Sequence, residues 1–449
     1  MSDARAMSRT SGAFSAGEVG TAKDRTVKDE TLKDETVKSH TAKKHTVRPE
    51  SIDEGRLWLE ANFREAQATI VPSGARLSSQ SLYRSPQALV TFDTTGWNRL
   101  IDYPARDMTI TVEAGMTWRE LCALLDVEGQ QLPLDVLEGE ATIGGLVASG
   151  FYGPRQYGYG TIRDYLLGFS GLTADGLLFQ AGGRVVKNVA GYDLAKLMCG
   201  SRGTLALLTQ CTFKLKPQPA QWSWVLTTWE TWEDLEPALE RLLLSETRPV
   251  AVDVLQRAGL PPVGNDLTLA ILLEGSQVSL DWEVQTIRKE LSNLGPTELL
   301  VISEDRQTAP ADRLMTCLLS SQQQRPYELM VSLPSSKLVA LARQFPETTR
   351  IMGRGLDGTL VLSWNEPPAH HELAAGLASL IDSASLAGHP QEAIWEWTRW
   401  PDDSIPPPAN RPPEASSSRW SWALKQQLDP LGLLNPSVLD LRCGRPWPE

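Results

Sequence analysis

The first fifty residues carry a hydrophobic pattern that fits neither a helix nor a strand. A five-residue unit recurs from Thr21 onward, and its single apolar position is filled in turn by Ala22, Val27, Leu32, Val37, Ala42 and Val47. Neither a helix face nor a strand face repeats every five residues, so no continuous apolar stripe forms. The segment buries too little to offset its ordering entropy. We predict a disordered tail over residues 1–50, with a partner-docking helix as the alternative.

From Ile52 onward the pattern becomes that of a folded protein. Apolar residues at helical spacing, among them Leu57, Leu59 and Phe63, predict an amphipathic helix over residues 52–66. Short apolar runs bounded by turn residues then predict strands, and a further helical stretch follows. The predicted strands cover residues 68–71, 88–92 and 109–112, and the predicted helix covers residues 118–127.

A second region of mixed elements begins after Lys216-Pro217-Gln218-Pro219, which we expect to be a linker. Its predicted helices lie near residues 233–244, 280–294 and 371–385. Residues 401–418 are rich in proline and serine and predict an extended loop, followed by a helix near 419–428. The boundaries divide the chain into a tail (1–50), a first domain (51–218), a second domain (219–400) and a terminal segment (401–449).

Composition narrows the class of protein. The 449 residues include 43 basic and 55 acidic side chains, giving a net charge of −12 and a pI near 5.1. An acidic chain lacks the basic face that binds nucleic acid, so we expect no nucleic-acid partner. The apolar stretches fall short of the roughly 20 residues of a membrane span, and the N-terminus lacks a signal-peptide core. We therefore expect a cytoplasmic protein without a transmembrane segment.

The cysteines point to a reducing compartment and to no metal site. They are few and far apart in sequence, at Cys122, Cys199, Cys211, Cys317 and Cys443. No two form the close pair that zinc or iron–sulfur ligation uses, and the pattern is not a disulfide framework. Any iron–sulfur cluster that works with this chain must therefore belong to a partner.

Glycine-rich turns mark the candidate chemistry of the first domain. Ser73-Gly74 and Glu113-Ala114-Gly115 each follow a predicted strand, and residues 142–150 contain Gly144, Gly145 and Gly150. Glycine lets a backbone approach a ligand closely and lets successive N–H groups point at one anion. A pyrophosphate or a flat flavin ring needs such backbone. Ordinary turns are the alternative for each motif.

Two other motifs have simpler explanations. Residues 353–358 match the spacing of a dinucleotide-binding loop, but a strand-like run follows at residues 359–364 where that loop would open a helix. We predict a hairpin turn there. His370 and His371 suggest a metal site, but adjacent residues on a helix point in different directions and no acidic cluster accompanies them. We expect them to lie on the surface at the start of a helix, and we expect no bound metal.

The segments 183–194 and 196–205 resemble the signature of one group of flavoproteins. They read Gly-Arg-Val-Val-Lys-Asn-Val-Ala-Gly-Tyr-Asp-Leu and Lys-Leu-Met-Cys-Gly-Ser-Arg-Gly-Thr-Leu. The group is the PCMH-type FAD-binding proteins of the vanillyl-alcohol oxidase superfamily, and the match is similar to the FAD-binding subunits of glycolate oxidase. Residues 428–436 resemble the closing segment of the same family. The resemblance implies an α+β fold, with a two-part FAD-binding domain, a second α+β domain of the substrate type, and a terminal segment that returns to the FAD-binding domain.

The resemblance also implies which residues hold FAD. The first loop, which wraps the pyrophosphate in the family, corresponds to Pro72, Ser73, Gly74, Ala75, Arg76 and Leu77, and it has one glycine where the family usually has several. The second loop corresponds to Thr142, Gly144, Gly145, Ser149, Gly150 and Gly153. The third stretch corresponds to Gly200, Ser201, Gly203, Thr204 and Leu208. Asn188 and Asp193 would shape the flavin pocket or its rim, or alternatively satisfy their own turn.

Other charged and titratable residues bear on the same site. Arg155 and Arg163 could bind a phosphate or a carboxylate substrate through a bidentate fork, or form surface ion pairs. No histidine lies between residues 46 and 369, so a histidyl bond to the cofactor within the first domain is not available. We therefore expect non-covalent FAD. No catalytic residue is assigned.

The resemblance implies a flavoprotein subunit that takes part in oxidising glycolate to glyoxylate. Its partners would be a sister FAD subunit, an iron–sulfur subunit and a small 2-hydroxy acid, with peripheral membrane association through the complex. The sister subunit would supply the base, because this chain lacks the expected histidine. The alternatives are a free-standing FAD-dependent alcohol or sugar oxidase and a cofactor-free scaffold subunit.

Overall fold

A computed structural model describes residues 45–74, 89–137, 139–183, 194–259, 262–305, 312, 314–316, 319, 325–346, 348–368, 394–399 and 423–435. The helix predicted at 371–385 and the loop predicted at 401–418 lie outside these residues. So does nearly all of the predicted tail.

A small parallel sheet opens the region predicted as the first domain. It contains β1 (His45–Val47), β2 (Thr69–Ser73) and β3 (Leu89–Asp93), in the order β1-β3-β2. Helix α1 (Ile52–Ala61) begins at Ser51, whose side chain accepts a hydrogen bond from the N–H of Glu54, and a single π-helical turn, Asn62–Ala66, continues it. The helix predicted over residues 52–66 is thus confirmed. The sheet also includes three residues of the predicted tail, because β1 pairs with β3 along its whole length.

A five-stranded antiparallel sheet forms the second part of this domain, in the order β4-β5-β9-β7-β8. The strands up to this point are β4 (Leu100–Asp102), β5 (Thr109–Glu113), β6 (Gln130–Gln131), β7 (Leu166–Leu172), β8 (Leu178–Gly182) and β9 (Leu207–Lys214). Apolar residues of β5, β7 and β9 share one core with the helices packed on the sheet.

The helices of this part are α2 (Trp118–Val127), α3 (Ile143–Ser149), α4 (Gln156–Tyr159), α5 (Ile162–Tyr165) and α6 (Leu194–Met198). Helix α2 has the predicted bounds. Thr117 and Glu120 form a reciprocal capping box at its first turn, which satisfies backbone N–H groups that a helix start leaves unpaired.

The predicted linker, residues 216–219, is hydrogen-bonded to the first domain. Strand β10 (Lys216–Pro217) pairs antiparallel with β6, and the N–H of Gln218 donates to the carbonyl of Gly129 at 2.9 Å. The chain therefore leaves the first domain as paired backbone.

The region predicted as the second domain contains an eight-stranded antiparallel sheet in the order β14-β11-β13-β12-β16-β17-β15-β18. Its strands are β11 (Gln221–Trp229), β12 (Ala251–Gln256), β13 (Leu267–Gly275), β14 (Glu298–Asp305), β15 (Tyr327–Ser332), β16 (Arg350–Arg354), β17 (Thr359–Trp364) and β18 (Ile394–Arg399). The helices described in this region include α7 (Trp232–Leu243), α8 (Gln277–Ser292) and α9 (Leu338–Ala342). Helices α7 and α8 confirm two predicted helices within a few residues.

The two faces of this sheet have different neighbours. Val252 and Val254 on β12 pack in a core with α7, α8 and α9. Ala251 and Leu255, one residue out of phase, pack in a separate core that also contacts Tyr159 of the first domain. Because successive side chains of a strand alternate between faces, one face of the sheet meets helices and the other meets the first domain.

The glycine motif at residues 353–358 is a hairpin turn. It joins β16 to β17, which pair antiparallel from Arg350 to Ser363. This confirms the sequence interpretation, since a dinucleotide-binding loop would lead into a helix.

The terminal segment packs against the small parallel sheet. Residues 423–428 are helical, and Leu434 forms a parallel bridge with Ile70. The N–H of Ile70 donates to the carbonyl of Leu433 at 2.7 Å, and the N–H of Asn435 donates to the carbonyl of Ile70 at 2.8 Å. Residues far apart in sequence thus extend the edge of β2.

The architecture is the predicted α+β class. No helix among the described residues combines the length and the apolar character needed to cross a membrane.

Candidate cofactor site

The end of β2 meets the start of α3. Pro72 and Ser73 are the last residues of β2, and Gly74 follows. A Cβ at Gly74 would collide with Oγ1 of Thr142, the N-cap residue of α3. Two predicted cofactor loops, separated by about seventy residues of sequence, are therefore in direct contact because Gly74 has no side chain.

Helix α3 is fixed from its first turn. Oγ1 of Thr142 accepts a hydrogen bond from the N–H of Gly145 at 3.2 Å. The N–H of Gly144 donates to the carbonyl of Ala114 at 2.7 Å, and a Cβ at Gly144 would lie only 2.8 Å from the Cβ of Ala114. The turn at residues 113–115 therefore packs against α3, as backbone against backbone. This contact brings a third glycine turn to the site.

The loop at residues 200–204 completes the cluster. Gly150 ends α3 in the left-handed conformation (φ +66°), and a Cβ there would lie 3.1 Å from Cα of Gly200. The N–H of Gly200 donates to the carbonyl of Val147 at 3.0 Å. Gly203 also has positive φ (+69°), and a Cβ there would lie 2.6 Å from Cγ of Pro72. This loop thus touches both the end of α3 and the end of β2.

The other predicted residues of the second and third stretches make contacts within the protein. Oγ1 of Thr204 donates to the carbonyl of Ser201 at 2.6 Å and closes the turn. Leu208 is buried on β9 within the core of the first domain. Ser149 is exposed, and its hydroxyl donates to the carbonyl of Leu146 at 3.1 Å.

The terminal segment supports the loop at residues 200–204 through residues that sequence reasoning missed. Nζ of Lys425 donates to the carbonyls of Thr204 (2.7 Å) and Leu434 (2.6 Å) and pairs with Asp429. Both members of this ion pair are fully buried, and burial lowers the pKa of Lys425. The amide of Asn435 donates to the carbonyl of Arg202 at 2.6 Å. Lys425 lies in the predicted helix and Asp429 directly follows it, and their four-residue spacing was the available signal.

These residues fit a nucleotide cofactor. Among the described residues, a Cβ at Gly200 would meet no atom within 4 Å, although its φ of +78° excludes most side chains. In the same described part, a Cβ at Gly145 would meet Oγ1 of its own cap residue, at 3.0 Å. The buried hydroxyl of Ser201 has no hydrogen-bond partner in the described part of the chain. Backbone that is not covered by side chains, next to a hydroxyl without a partner, is the kind of surface that binds phosphate oxygens.

Some predicted site residues lie outside the described residues. They are Ala75, Arg76 and Leu77 of the first loop, and Asn188 and Asp193 of the signature run. Their roles stay predictions, as does the surface position of His370 and His371. Within the described ranges, no three His, Cys, Asp or Glu side chains are grouped as a metal would need.

Arg155 has a different environment from the surface ion pair or free anion site that its sequence position suggested. Its guanidinium contacts three carboxylates, those of Asp135 (2.7 Å), Glu274 (2.6 Å) and Asp312 (3.4 Å). Burial by itself would lower the pKa of Arg155, but the three carboxylates together raise it. Because Asp135 belongs to the first domain and Glu274 to β13, the cluster joins the two domains. Arg163, by contrast, is exposed on α5.

Gly153 and Tyr159 both contact members of this cluster. A Cβ at Gly153 would collide with Asp135, so the absence of a side chain lets that carboxylate reach Arg155. The hydroxyl of Tyr159 donates to Glu274 at 2.6 Å, and burial is the main cause of its raised pKa. A cleft of about 320 Å³ opens beside the cluster, between α2 and β11, and is lined by Trp118, Leu132, Asp135, Trp222 and Glu274 among others. Gly153 therefore shapes the domain junction.

Comparison with known proteins identifies the first domain. The family described as "FAD binding domain" matches residues 44–182. The glycolate oxidase subunit GlcE of Escherichia coli is 38% identical over 144 residues, which are 32% of this chain and 41% of that protein. A D-lactate dehydrogenase of Anaerostipes hadrus is 28% identical over 193 residues, 43% of this chain and 41% of that protein. This chain thus spans about two fifths of the length of these curated relatives.

The whole fold has counterparts among solved structures. An alkyldihydroxyacetonephosphate synthase superposes with a TM-score of 0.62 at 17% identity, covering 87% of this chain and 75% of that one. At this identity the likeness concerns the fold alone. Residues 44–182 therefore match an FAD-binding domain, and most of the chain shares the fold of the synthase.

Proposed function

We propose that this chain is the FAD-binding subunit of a glycolate oxidase complex. The observation that carries the proposal is the convergence of Gly74, Gly144, Gly150 and Gly203 on one site, in a domain that resembles the E. coli glycolate oxidase subunit. When bound, FAD would accept the hydride from the carbon that bears the substrate hydroxyl. A cytoplasmic location, with membrane association only through the complex, is part of this proposal.

The residues of this chain would hold and orient the cofactor. The end of β2 and the loop at residues 200–204 would bind the pyrophosphate through N–H groups and the hydroxyl of Ser201. Helix α3 would press bare backbone against the ring system, since Gly144 and Gly145 project no side chain. The binding would be non-covalent, because the first domain has no histidine after position 46. The FAD-binding domain also argues against the cofactor-free scaffold.

The proposed partners follow from the need for an acceptor of the electrons that leave the flavin. The five cysteines are scattered along the sequence, so an iron–sulfur acceptor would belong to another subunit, and a sister FAD subunit would complete the complex. We expect glycolate turnover with an artificial acceptor only when the partners are present.

A free-standing FAD-dependent oxidoreductase is the second candidate. One observation favours it: the second domain of this chain carries a buried aspartate and a buried arginine, Asp253 and Arg354, on the face that meets the first domain. This chain would then turn over a hydroxy acid without its partners.

The experiment is the visible spectrum of the purified chain, alone and coexpressed with its presumed partners, before and after anaerobic addition of glycolate. We expect flavin absorption, its loss on adding glycolate to the complex, and release of free FAD by acid. Flavin that stays with the acid precipitate would contradict the non-covalent site. Colourless protein in both preparations would refute the proposal, and rapid turnover by the chain alone would select the second candidate.

A further inference from the structure

A buried pair of opposite charges lies on the sheet face that meets the first domain. Asp253 on β12 and Arg354 on β16 are cross-strand partners in the antiparallel register, and they are 6% and 8% exposed. Their neighbours in sequence, Val252, Val254 and Gly353, face the helices on the opposite side. Asp253 and Arg354 therefore both project toward the first domain.

Each member of this pair has an unsatisfied atom. Oδ2 of Asp253 and Nη1 of Arg354 are buried, and neither has a hydrogen-bond partner among the residues that the structure describes. More than nine in ten buried polar groups are normally paired, since a buried unpaired group costs about 1–3 kcal/mol. An unsatisfied acceptor and an unsatisfied donor on paired strands would suit a small molecule that offers an anionic oxygen to the guanidinium and a hydroxyl to the carboxylate.

The pair adjoins the segment that follows α3. The guanidinium carbon of Arg354 lies 4.8 Å from the centre of the Tyr152 ring, two residues after the glycine that ends α3. The side chain of Gln156 donates to Asp357, three residues beyond Arg354, at 2.6 Å. The unsatisfied atoms thus lie next to the second predicted flavin loop.

Arg155 is a poor competitor for the same ligand. Its guanidinium already contacts three carboxylates, so a fourth anion would be repelled by the excess negative charge. Arg354 has Asp253 as its cross-strand partner, and its Nη1 retains an unpaired donor within the described part of the chain. A substrate carboxylate entering the junction would therefore bind at Arg354.

The pKa of Asp253 is compatible with a role as hydrogen-bond partner of a substrate hydroxyl. The pKa of Asp253 is raised to about 7, chiefly by burial, with Arg354 opposing the rise and Asp357 and Asp135 adding to it. Near neutral pH this carboxyl can therefore exchange a proton, as a base for an alcohol must.

We propose that Asp253 and Arg354 form the substrate subsite of this chain, where Arg354 binds the carboxylate of a 2-hydroxy acid and Asp253 accepts the hydrogen bond of its hydroxyl. The inference rests on the proposed function, because it supplies the substrate contacts for FAD-dependent oxidation of a hydroxy acid. It assigns to this chain contacts that the family resemblance implied for the sister subunit.

The test is calorimetric binding to the flavin-containing protein, with the flavin reduced by dithionite so that no turnover occurs. Glycolate, acetate (no hydroxyl) and ethylene glycol (no carboxylate) are compared at pH 8. We expect Arg354→Gln to weaken glycolate binding at least tenfold, since a charge-assisted fork is lost. We expect Asp253→Asn to remove the preference for glycolate over acetate.

Arg350→Gln is the matched control. Arg350 lies on the same strand and is buried to a similar degree (7% exposed), but its Nε donates to the carbonyl of Arg257 at 3.1 Å. We expect this variant to bind glycolate within twofold of the unchanged protein. Circular dichroism checks the fold of each variant, and Arg354→Lys, which keeps the charge and loses the fork, replaces Arg354→Gln if the latter does not fold.

The outcomes separate the subsite from the proposed function. Folded Arg354 and Asp253 variants that bind glycolate like the unchanged protein would overturn the subsite, as would absence of glycolate binding to the unchanged protein. If glycolate still bleaches the oxidised flavin in these cases, the proposed function stands. If no hydroxy acid bleaches the flavin, but Arg354→Gln loses glycolate binding and Arg350→Gln keeps it, the subsite stands and the proposed function fails.

Discussion

Glycine residues at the candidate cofactor site act in two physically different ways. At Gly74, Gly144 and Gly203 a side chain would collide with a neighbouring segment, so glycine permits close approach of two loops. At Gly200 an added Cβ would meet no atom of the described residues within 4 Å, and there the positive φ favours glycine. The two roles make different predictions for substitution.

Replacing Gly203 separates these roles, with Gly129 as the control. Both have positive φ (+69° and +61°), so alanine should cost about 1 kcal/mol at either position. Only at Gly203 would the added methyl group also press on Pro72, at 2.6 Å. We expect Gly203→Ala to weaken FAD binding at least tenfold and Gly129→Ala to leave it unchanged.

Titration of the apoprotein with FAD, followed by flavin fluorescence, measures the affinity, and urea unfolding measures the stability. Equal FAD affinities in the two variants would show that contact between the loop at residues 200–204 and the end of β2 does not shape the cofactor site.

At the scale of elements, the terminal segment contacts and stabilises the third candidate cofactor loop, residues 200–204. Lys425 reaches the carbonyls of Thr204 and Leu434 and pairs with Asp429, whose own carboxylate accepts the N–H groups of Leu433 and Leu434 at 2.9 and 2.7 Å. A single buried ion pair thus connects the helical turn at residues 423–428, the bridge to β2 and the loop at residues 200–204.

Lys425→Met should be strongly destabilising. It leaves Asp429 charged and buried and removes the donor to two carbonyls, and loss of one partner of a buried pair costs about 3–5 kcal/mol. Lys289→Met is the control, because Lys289 is exposed on α8, where a substitution should change stability by less than about 0.5 kcal/mol.

Denaturant unfolding of both variants measures this difference. A Lys425→Met variant as stable as Lys289→Met would mean that Asp429 binds a proton or that the terminal segment contributes nothing to the folded state.

At the scale of the whole molecule, ionic contacts join the two domains. Arg155 and Asp135 come from the first domain, whereas Glu274 and Asp312 come from the second. Each carboxylate is at most 6% exposed, so the cluster depends on Arg155 for compensation. The same junction contains Tyr152 and Arg354, which connects domain association with the proposed substrate subsite.

We expect Arg155→Gln to weaken the junction. Three buried carboxylates would lose their cation, at a cost of about 3–5 kcal/mol before any of them binds a proton. Arg119→Gln is the matched control, since Arg119 pairs with Glu140 at the surface, where both side chains are about two-thirds exposed (71% and 67%) and a pair contributes about 0–1 kcal/mol.

Unfolding monitored by tryptophan fluorescence compares the two variants, since Trp222 and Trp224 lie on the junction face of the second domain. We expect Arg155→Gln to unfold at a lower denaturant concentration than Arg119→Gln. The first event should be separation of the second domain from the first domain. Identical curves for the two variants would contradict a structural role for the cluster.

The sequence by itself determined the local elements and the position of the cofactor motifs. The bounds of α2, the hairpin at residues 353–358 and the glycine turns all follow from patterns within a few residues, where hydrophobic period, capping and turn chemistry act. Such signals do not depend on distant parts of the chain. The boundary of the tail was less accurate, because β1 is specified by its pairing with β3, more than forty residues away.

Only the tertiary structure decided which polar residues meet. Arg155 lies 20, 119 and 157 residues from its three carboxylates, and Asp253 faces Arg354 through the register of two strands from different parts of the second domain. No local pattern marks a single aspartate or arginine for such a partner. Strand order and register result from packing of the whole sheet, and burial then turns ordinary charged residues into the junction cluster and the unsatisfied pair.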